Sequence, residues 1–159
     1  MVDLGSGGGV PGLVLASVWP EATLRLVEGS ATRAAWLKQY VGDCGWSDRV
    51  KVVGERAELA GRYVSLRGQA AAVVARAFGR SSDTAEGGAP FLRQGGALVV
   101  SEPPRPPVTP RWPAEGLAEL GLRQDLELRL GGFAVFRQCD VCPGRYPRRV
   151  GVPRKRPLF

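Results

Sequence analysis

Near its start the chain carries the stretch VDLGSGGGVPG, residues 2–12. Its first three residues, Val2, Asp3 and Leu4, are predicted to form the end of a strand, and a glycine-rich run follows at once. Residues 13–19 then read LVLASVW, an apolar run that we predict to be a helix. A strand, a glycine loop and a helix in direct succession indicate the opening of a βαβ unit.

The glycines of this loop have a physical reason to be there. Gly5, Gly7 and Gly9 can turn the backbone with positive φ, and they let a ligand approach without a Cβ in the way. The helix that follows presents free N–H groups to a carboxylate or a phosphate. We therefore interpret this segment as a cofactor-binding loop and assign its three glycines to that role.

A second strand supplies the acid that such a site needs. Residues 23–27, TLRLV, form a short strand that ends on Glu28, and Ser30 is placed to cap a following helix. A carboxylate at this tip can accept two hydrogen bonds from the hydroxyls of a ribose. The pattern predicts a cofactor that contains adenosine.

Two adenosine cofactors remain open on the loop alone. Residues 7–12 also satisfy G-x-G-x-x-G, the dinucleotide pattern, which keeps NAD(P) as an alternative. Asp3 favours S-adenosylmethionine, because a carboxylate at the strand end can meet the ammonium of a methionyl group but would repel a pyrophosphate.

The rest of the chain continues the alternation of strands and helices. Apolar runs at 50–53, 71–75 and 97–100 predict three more strands with helical or irregular connections between them. This alternation predicts an α/β fold with a doubly wound, mostly parallel Rossmann-like sheet of about seven strands. Ligands are expected outside the carboxyl ends of its strands.

The sequence after residue 101 predicts a different arrangement of elements at the end of the sheet. The proline-rich residues 102–113 predict a loop, since each proline fixes φ and removes a donor, and residues 114–120 predict a helix. The strand-like runs 122–130 and 133–136 are joined by two glycines. We expect them to form an antiparallel hairpin that ends the sheet.

Length and composition limit the classes of protein to which this chain can belong. The chain has 159 residues with 44% apolar and 23% charged content, which fits a globular domain. No apolar run approaches the roughly 20 residues of a membrane span, and no leader precedes the first strand, so we expect a cytoplasmic protein without membrane contact. Three cysteines are too few for a disulfide framework, so reduced thiols are expected.

The sequence also argues against metal and hydrolytic sites. Cys139 and Cys142 form a single C-x-x-C, and the chain contains no histidine, so four zinc ligands cannot be assembled. The lack of histidine argues equally against serine or cysteine hydrolases that use a histidine base. We expect no metal.

The net charge of +7 is concentrated in the last residues. Six of the basic residues lie after residue 144, where there is no acid, and the remaining 16 basic residues are balanced by 15 acidic ones. The six are Arg145, Arg148, Arg149, Arg154, Lys155 and Arg156. We predict a domain at 1–143 and a basic arm at 144–159. Its prolines and Gly151 disfavour a helix, so we expect an extended arm that tracks a polyanion such as RNA, packs across the domain or merely adds solubility.

Several motifs together resemble a known family, the bacterial small-subunit (16S) ribosomal RNA guanine-N7 methyltransferases, also called glucose-inhibited division protein B. The similarity spans nearly the whole chain, and the residues YPRRVGVP at 146–153 are its most specific part. It is also carried by residues 2–12, by Val27-Glu28 with Arg33 and Leu37, by Arg56-Ala57-Glu58 and by Ala75-Arg76-Ala77.

The resemblance implies a class I methyltransferase sheet and a site in which separate segments bind separate parts of the cofactor. The glycine loop would hold the methionyl part of S-adenosylmethionine, the acid after strand two its ribose, and the Arg-Ala-Glu segment would lie along its adenine. The cofactor residues implied are Asp3, Gly5, Gly7, Glu28, Ala57 and Glu58.

The chemistry implied needs little from the protein. Guanine N7 has an in-plane lone pair and no proton to lose, so its methylation requires alignment and no general base. Arg76 at the end of strand four is a candidate for positioning the substrate, or it marks the exit of the strand into solvent. The expected partner is ribosomal RNA or the small ribosomal subunit, bound by a monomer.

Two departures keep other functions open. The chain begins at the first strand, so we expect the helices that precede it in the family to be missing from the cover of the cofactor. Glu102 stands where the family tends to place a lysine. The alternatives are a methyltransferase with a different substrate and a cofactor-binding or RNA-binding protein without catalysis.

Overall fold

The computed structural model describes residues 1–104, 111–128 and 131–159. Within these residues the chain forms one seven-stranded sheet in the order β3-β2-β1-β4-β5-β7-β6. The strands are β1 Val2–Leu4, β2 Leu24–Val27, β3 Val50–Val53, β4 Ala70–Ala75, β5 Leu92–Ser101, β6 Leu122–Gln124 and β7 Phe133–Gln138. The strands β1 to β5 pair in parallel, and β7 is antiparallel to both β5 and β6. The predicted doubly wound sheet with a terminal antiparallel hairpin is confirmed.

Short helices connect the strands. They are α1 Gly12–Val18, α2 Ala31–Asp43, α3 Ala57–Ala60, α4 Ser81–Gly88, α5 Ala114–Ala118 and α6 Val152–Lys155. Ser30 caps α2 as predicted, since its side-chain oxygen accepts a hydrogen bond from the backbone N–H of Arg33. In the described part of the chain, no helix is long and apolar enough to cross a membrane.

Two apolar clusters hold the helices to the sheet. One joins the sheet to α4 and α5 and contains the fully buried Leu4, Phe91 and Leu98. The other lies under α1 and α2 around Leu26 and Leu37. Each such side chain contributes roughly 1.5–3 kcal/mol when it is removed from water. The strands between these clusters are therefore held rigidly, and the loops at their ends have a fixed base.

The strand order places a crevice at one edge of the sheet. Strand β1 is an interior strand, with β2 paired on one side and β4 on the other. The chain leaves β1 and β2 toward β3 on one side of the sheet and leaves β4 toward β5 on the other side. The loops that follow these strands therefore diverge at the carboxyl edge and leave a crevice there. This is the edge where the sequence predicts a ligand.

Two strand boundaries differ from the predicted ones. Strand β5 begins at Leu92, five residues earlier than expected, because Leu92 already pairs with Ala70 at the start of β4. Strand β6 ends at Gln124, whereas the sequence predicted a strand to residue 130. The Asp125 carboxylate accepts hydrogen bonds from the N–H groups of Glu127 and Leu128, and this turn ends the strand. Residues 105–110 of the predicted loop and residues 129–130 lie outside the described residues.

The prediction that the basic arm contains no helix is wrong. Residues Val152–Lys155 form the short helix α6, which begins after Gly151 in the left-handed region at φ 78°. Pro153 is tolerated there because the first turn of a helix has no intrahelical use for its N–H. The arm packs across the domain, one of the expected arrangements, and Arg67 donates hydrogen bonds to the backbone oxygens of Cys142, Pro143 and Tyr146.

A candidate cofactor and substrate cavity

A cavity of about 680 Å³ opens at the carboxyl ends of β1, β2 and β4. The glycine loop forms one wall and Glu28 with the start of α2 forms the next. The remaining walls come from residues 56–58, residues 76–79 after β4, α4 and α6. This volume lies within the usual range of small-molecule sites.

The glycine loop is shaped by contacts that exclude side chains. The N–H groups of Gly5 and Ser6 both donate to the backbone oxygen of Val27, at 2.9 and 3.0 Å, which ties the loop to the end of β2. Gly5 has φ 72°, and a Cβ there would lie 2.5 Å from Cδ2 of Phe78. Only glycine fits at this position without displacing the ring.

Gly9 has a different role from the other two glycines. It is buried and is not among the described residues that line the cavity. A Cβ at Gly9 would lie 2.2 Å from Cδ1 of Leu13 on α1. Its described contacts are with the helix and with Ser6, whose backbone oxygen accepts from the Gly9 N–H at 2.7 Å. Its assignment to cofactor binding stays a prediction.

Gly5→Ala is expected to lower the free energy of unfolding by about 1–3 kcal/mol, since it combines a strained φ with a clash. Urea unfolding followed by circular dichroism measures the change. Gly8→Ala is the matched control, because a Cβ at Gly8 would meet no described atom within 4 Å, and it should change stability by less than about 0.5 kcal/mol. Equal effects of the two substitutions would contradict this account of the loop.

Glu28 joins the two loops that face the cavity. Its Oε2 accepts from the N–H of Gly7 at 2.8 Å, and its Oε1 accepts from the N–H of Ser30 at 2.7 Å and from Nη2 of Arg33 at 3.0 Å. Burial acts to raise the pKa of this carboxyl, but these hydrogen bonds outweigh it and hold the pKa below the ordinary value of 4.5. Glu28 is thus charged at neutral pH.

The remaining hydrogen-bonding capacity of Glu28 points to a ligand. A carboxylate offers about four acceptor positions, and the three described bonds leave one of them, on Oε2. The Arg33 side chain is 61% exposed, so solvent can replace its contact at little cost. Glu28 can therefore accept hydroxyl groups from a ligand without losing the two backbone bonds that fix it.

Asp3 lies behind the loop. It is 1% exposed, and its Oδ2 accepts from the N–H of Gly12 at 3.0 Å, which ties the start of α1 to β1. It is not among the described residues that line the cavity. Its contact with a methionyl ammonium stays a prediction, and its described partner is the backbone.

Stability should depend on pH through Asp3. Burial raises the pKa of the Asp3 carboxyl to about 6 from an ordinary 3.8, so the folded state holds the proton more tightly than the unfolded state. The contribution of Asp3 to stability is therefore full below about pH 4 and is lost as the pH rises through about 6. The loss amounts to about 3 kcal/mol.

Urea unfolding of the wild type and Asp3→Asn between pH 4 and 8 isolates this effect, because other titrating groups cancel in the difference. The asparagine oxygen can still accept from Gly12, but it does not titrate. The wild type should lose stability relative to Asp3→Asn as the pH rises. Parallel curves would show that Asp3 has no raised pKa.

Predicted residues after β3 and β4 do line the cavity. Ala57 and Glu58 belong to α3, and Oε1 of Glu58 accepts from the N–H of Gly151 at 3.2 Å. Arg76 is exposed at the end of β4, and Ala77 next to it adopts φ 52°. Such backbone is rare for a residue with a Cβ and is often found where a site is held in a defined geometry.

The structure separates the six basic residues of the arm. Arg154 lines the cavity, and Arg148 binds the fully buried Glu86. Four others are exposed: Arg145, Arg149, Lys155 and Arg156. Cations thus stand at the cavity mouth and along the outer face of the arm.

Sequence reasoning missed part of the cavity wall. Phe78 supports the glycine loop, and Asp83, on the first turn of α4, forms an ion pair with Arg80 at 3.1 Å. Pro153 also lines the cavity. Phe78 follows Arg76 closely at a strand end, so its position alone could have pointed to the site. Asp83 and Pro153 line the cavity because of how α4 and α6 pack.

Three remaining features bear on the other functions and site types that the sequence raised. Glu102 forms an ion pair with Arg111 at 2.7 Å and accepts from Nε1 of Trp112 at 2.9 Å, so its charge is balanced within the described residues. Among those residues no three side chains of the metal-binding types come together. Burial raises the pKa of the Cys142 thiol to about 11, which makes it a poor nucleophile.

Comparison with known proteins assigns the family. The model of the family GidB, rRNA small subunit methyltransferase G, matches residues 1–102. The chain belongs to this family. A curated relative, ribosomal RNA small subunit methyltransferase G of Prochlorococcus marinus (strain NATL2A), is 32% identical over 165 residues, which include 99% of this chain. The chain spans 66% of the length of that relative.

Two solved structures of other proteins share the fold of this chain. A protein of Haemophilus influenzae described as a methylase matches with a TM-score of 0.60 at 15% identity, over 87% of this chain and 86% of its own. Geranyl diphosphate C-methyltransferase of Streptomyces coelicolor, solved with S-adenosyl-L-homocysteine, matches with a TM-score of 0.53 at 18% identity, over 62% of this chain and 37% of its own. The sheet is therefore that of a class I methyltransferase.

Proposed function

We propose that this protein binds S-adenosylmethionine in the cavity and transfers its methyl group to guanine N7 of 16S ribosomal RNA. The observation that carries the proposal is that the glycine loop, Glu28 and Arg76 line one cavity. Membership of the small-subunit methyltransferase G family supports the substrate, and the S-adenosyl-L-homocysteine held by the Streptomyces methyltransferase of the same fold supports the cofactor.

The residues present fit such a cofactor. Glu28 has acceptor capacity for ribose hydroxyls, and Gly5 leaves backbone accessible where a side chain would collide with Phe78. Ala57 and Glu58 line the cavity beyond Glu28, as the family resemblance implies for the adenine. When bound, S-adenosylmethionine supplies an electrophilic methyl group on a sulfonium.

The chain's own residues then have to orient the substrate. Guanine N7 carries no proton, so no side chain needs to act as a base. Arg76 at the mouth can donate hydrogen bonds to guanine O6 or to a phosphate, as arginine does in other nucleic-acid complexes. Catalysis on this account rests on alignment of N7 with the methyl group.

Positive charge around the mouth suits a polyanion. Arg33, Arg56, Arg76 and Arg154 all line the cavity. Arginines there can contact the phosphates on either side of the target nucleotide, and the exposed cations of the arm extend this surface. We propose that the protein acts on RNA as a monomer in the cytoplasm, with the arm as part of the RNA surface.

The test is transfer of a tritiated methyl group to small ribosomal subunits and to naked 16S RNA that lack the modification. The label should appear in 7-methylguanosine after digestion to nucleosides. Label in another nucleoside, or none with folded protein and bound cofactor, would refute the proposed reaction. Transfer to small molecules with unmodified subunits would select the alternative of a different substrate.

A further inference from the structure

A buried ion pair outside the cavity connects α4 to the arm. Glu86 on α4 is 0% exposed, and its carboxylate is bound by Arg148 alone among the described residues. Oε1 accepts from the backbone N–H of Arg148 at 2.8 Å and from its Nε at 2.9 Å, and Oε2 accepts from Nη2 at 2.6 Å. A fork of this kind fixes both the position and the orientation of the bound residue.

The arm crosses the rim of the cavity directly after this anchor. Three residues beyond Arg148, the N–H of Gly151 donates to Glu58, and α6 then brings Arg154 to the cavity wall. Further along, Arg80 donates to the backbone oxygen of Arg154, and the N–H of Leu158 donates to Oγ of Ser82. The position of Arg154 therefore depends on contacts with α3 and α4, of which the Glu86 pair is the most deeply buried.

We propose that Glu86 is a positioning residue that acts through Arg148 to hold Arg154 at the cavity mouth. This assigns different tasks to the basic residues of the arm: Arg148 faces inward and anchors, whereas Arg154 faces the RNA. The inference rests on the proposed function. The inference extends that function by assigning an effect on methyl transfer to Glu86, a carboxylate that does not contact the substrate.

Energetic coupling between Glu86 and Arg154 tests the proposal. In the wild type, Arg154→Ala should lower kcat/KM for RNA about tenfold, since it removes a phosphate or base contact. In Glu86→Gln, where Arg154 is already displaced, the same substitution should cost less than about twofold. Asp125→Asn is the matched control, because it removes a carboxylate from an Arg137 Nε pair at 3.0 Å on the far edge of the sheet.

A tenfold effect of Arg154→Ala in all three backgrounds would overturn the proposal, because a merely structural Glu86 gives additive effects. Arg148→Lys carries the same test if Glu86→Gln does not fold, since lysine keeps the charge but cannot make the fork. The same coupling between Glu86 and Arg154 can be measured without methyl transfer, from the affinity for RNA and its salt dependence in filter-retention assays. A wild type that binds RNA but transfers no methyl group would therefore refute the proposed function and leave this test intact.

Discussion

Glu28→Ala is expected to lower the affinity for S-adenosyl-L-homocysteine roughly 100-fold. The carboxylate is charged and offers acceptor capacity to two ribose hydroxyls, and each hydrogen bond to a charged group contributes about 1.5–3 kcal/mol. The substitution also frees the N–H groups of Gly7 and Ser30, which loosens both loops. Isothermal titration calorimetry at constant pH measures the affinity.

Arg33→Ala is the control for this prediction. It removes the exposed partner of Glu28 but leaves both backbone bonds, so the affinity should change by less than about threefold. If Arg33→Ala weakened binding as much as Glu28→Ala, the guanidinium and not the carboxylate would be the ligand contact. An unchanged affinity in Glu28→Ala would remove the ribose role altogether.

Arg76→Ala is expected to lower kcat/KM for RNA roughly 100-fold while the affinity for S-adenosyl-L-homocysteine stays within about threefold. Arg76 stands at the mouth, beside the strained Ala77, where misplacement of the target base by about 1 Å suffices for a loss of this size. Steady-state methylation of small subunits with varied RNA concentration gives the value.

Arg93→Ala provides the comparison, because Arg93 is also an exposed arginine and lies near the amino end of β5, at the opposite edge of the sheet. It should leave kcat/KM within about twofold. Similar losses in Arg76→Ala and Arg93→Ala would mean that overall positive charge is what counts, and Arg76 would then merely mark the exit of its strand into solvent.

Local patterns were sufficient to predict most of the fold. The apolar runs of β1 to β4 alternate with turn and cap residues, and Ser30 marks the start of α2 by the chemistry of its side chain. The first half of β5, the end of β6 and helix α6 were not predicted. The start of β5 depends on pairing with Ala70, and α6 depends on packing against α4; both are contacts between residues distant in sequence. The end of β6 depends on the turn at Asp125, a local signal that was not recognised in the sequence.

The residues of the candidate site that directly follow strands could be predicted from the sequence. Gly5, Gly7 and Glu28 follow β1 and β2 directly, so topology alone brings them together. The division of the basic arm was not predictable, because Arg148 and Arg154 are alike in sequence and differ only in what they meet. Nor could sequence show that Asp3 and Gly9 are not among the described residues that line the cavity and instead contact residues of α1.

The central claim is that the cavity beside Glu28 holds an S-adenosyl cofactor. Calorimetric titration of the wild-type protein with S-adenosyl-L-homocysteine, and separately with NAD, tests it most directly. The account predicts saturable binding of one S-adenosyl-L-homocysteine per chain, abolished or strongly weakened in Glu28→Ala, and no measurable binding of NAD. Binding of NAD in place of S-adenosyl-L-homocysteine, or of neither compound by the folded protein, would contradict it.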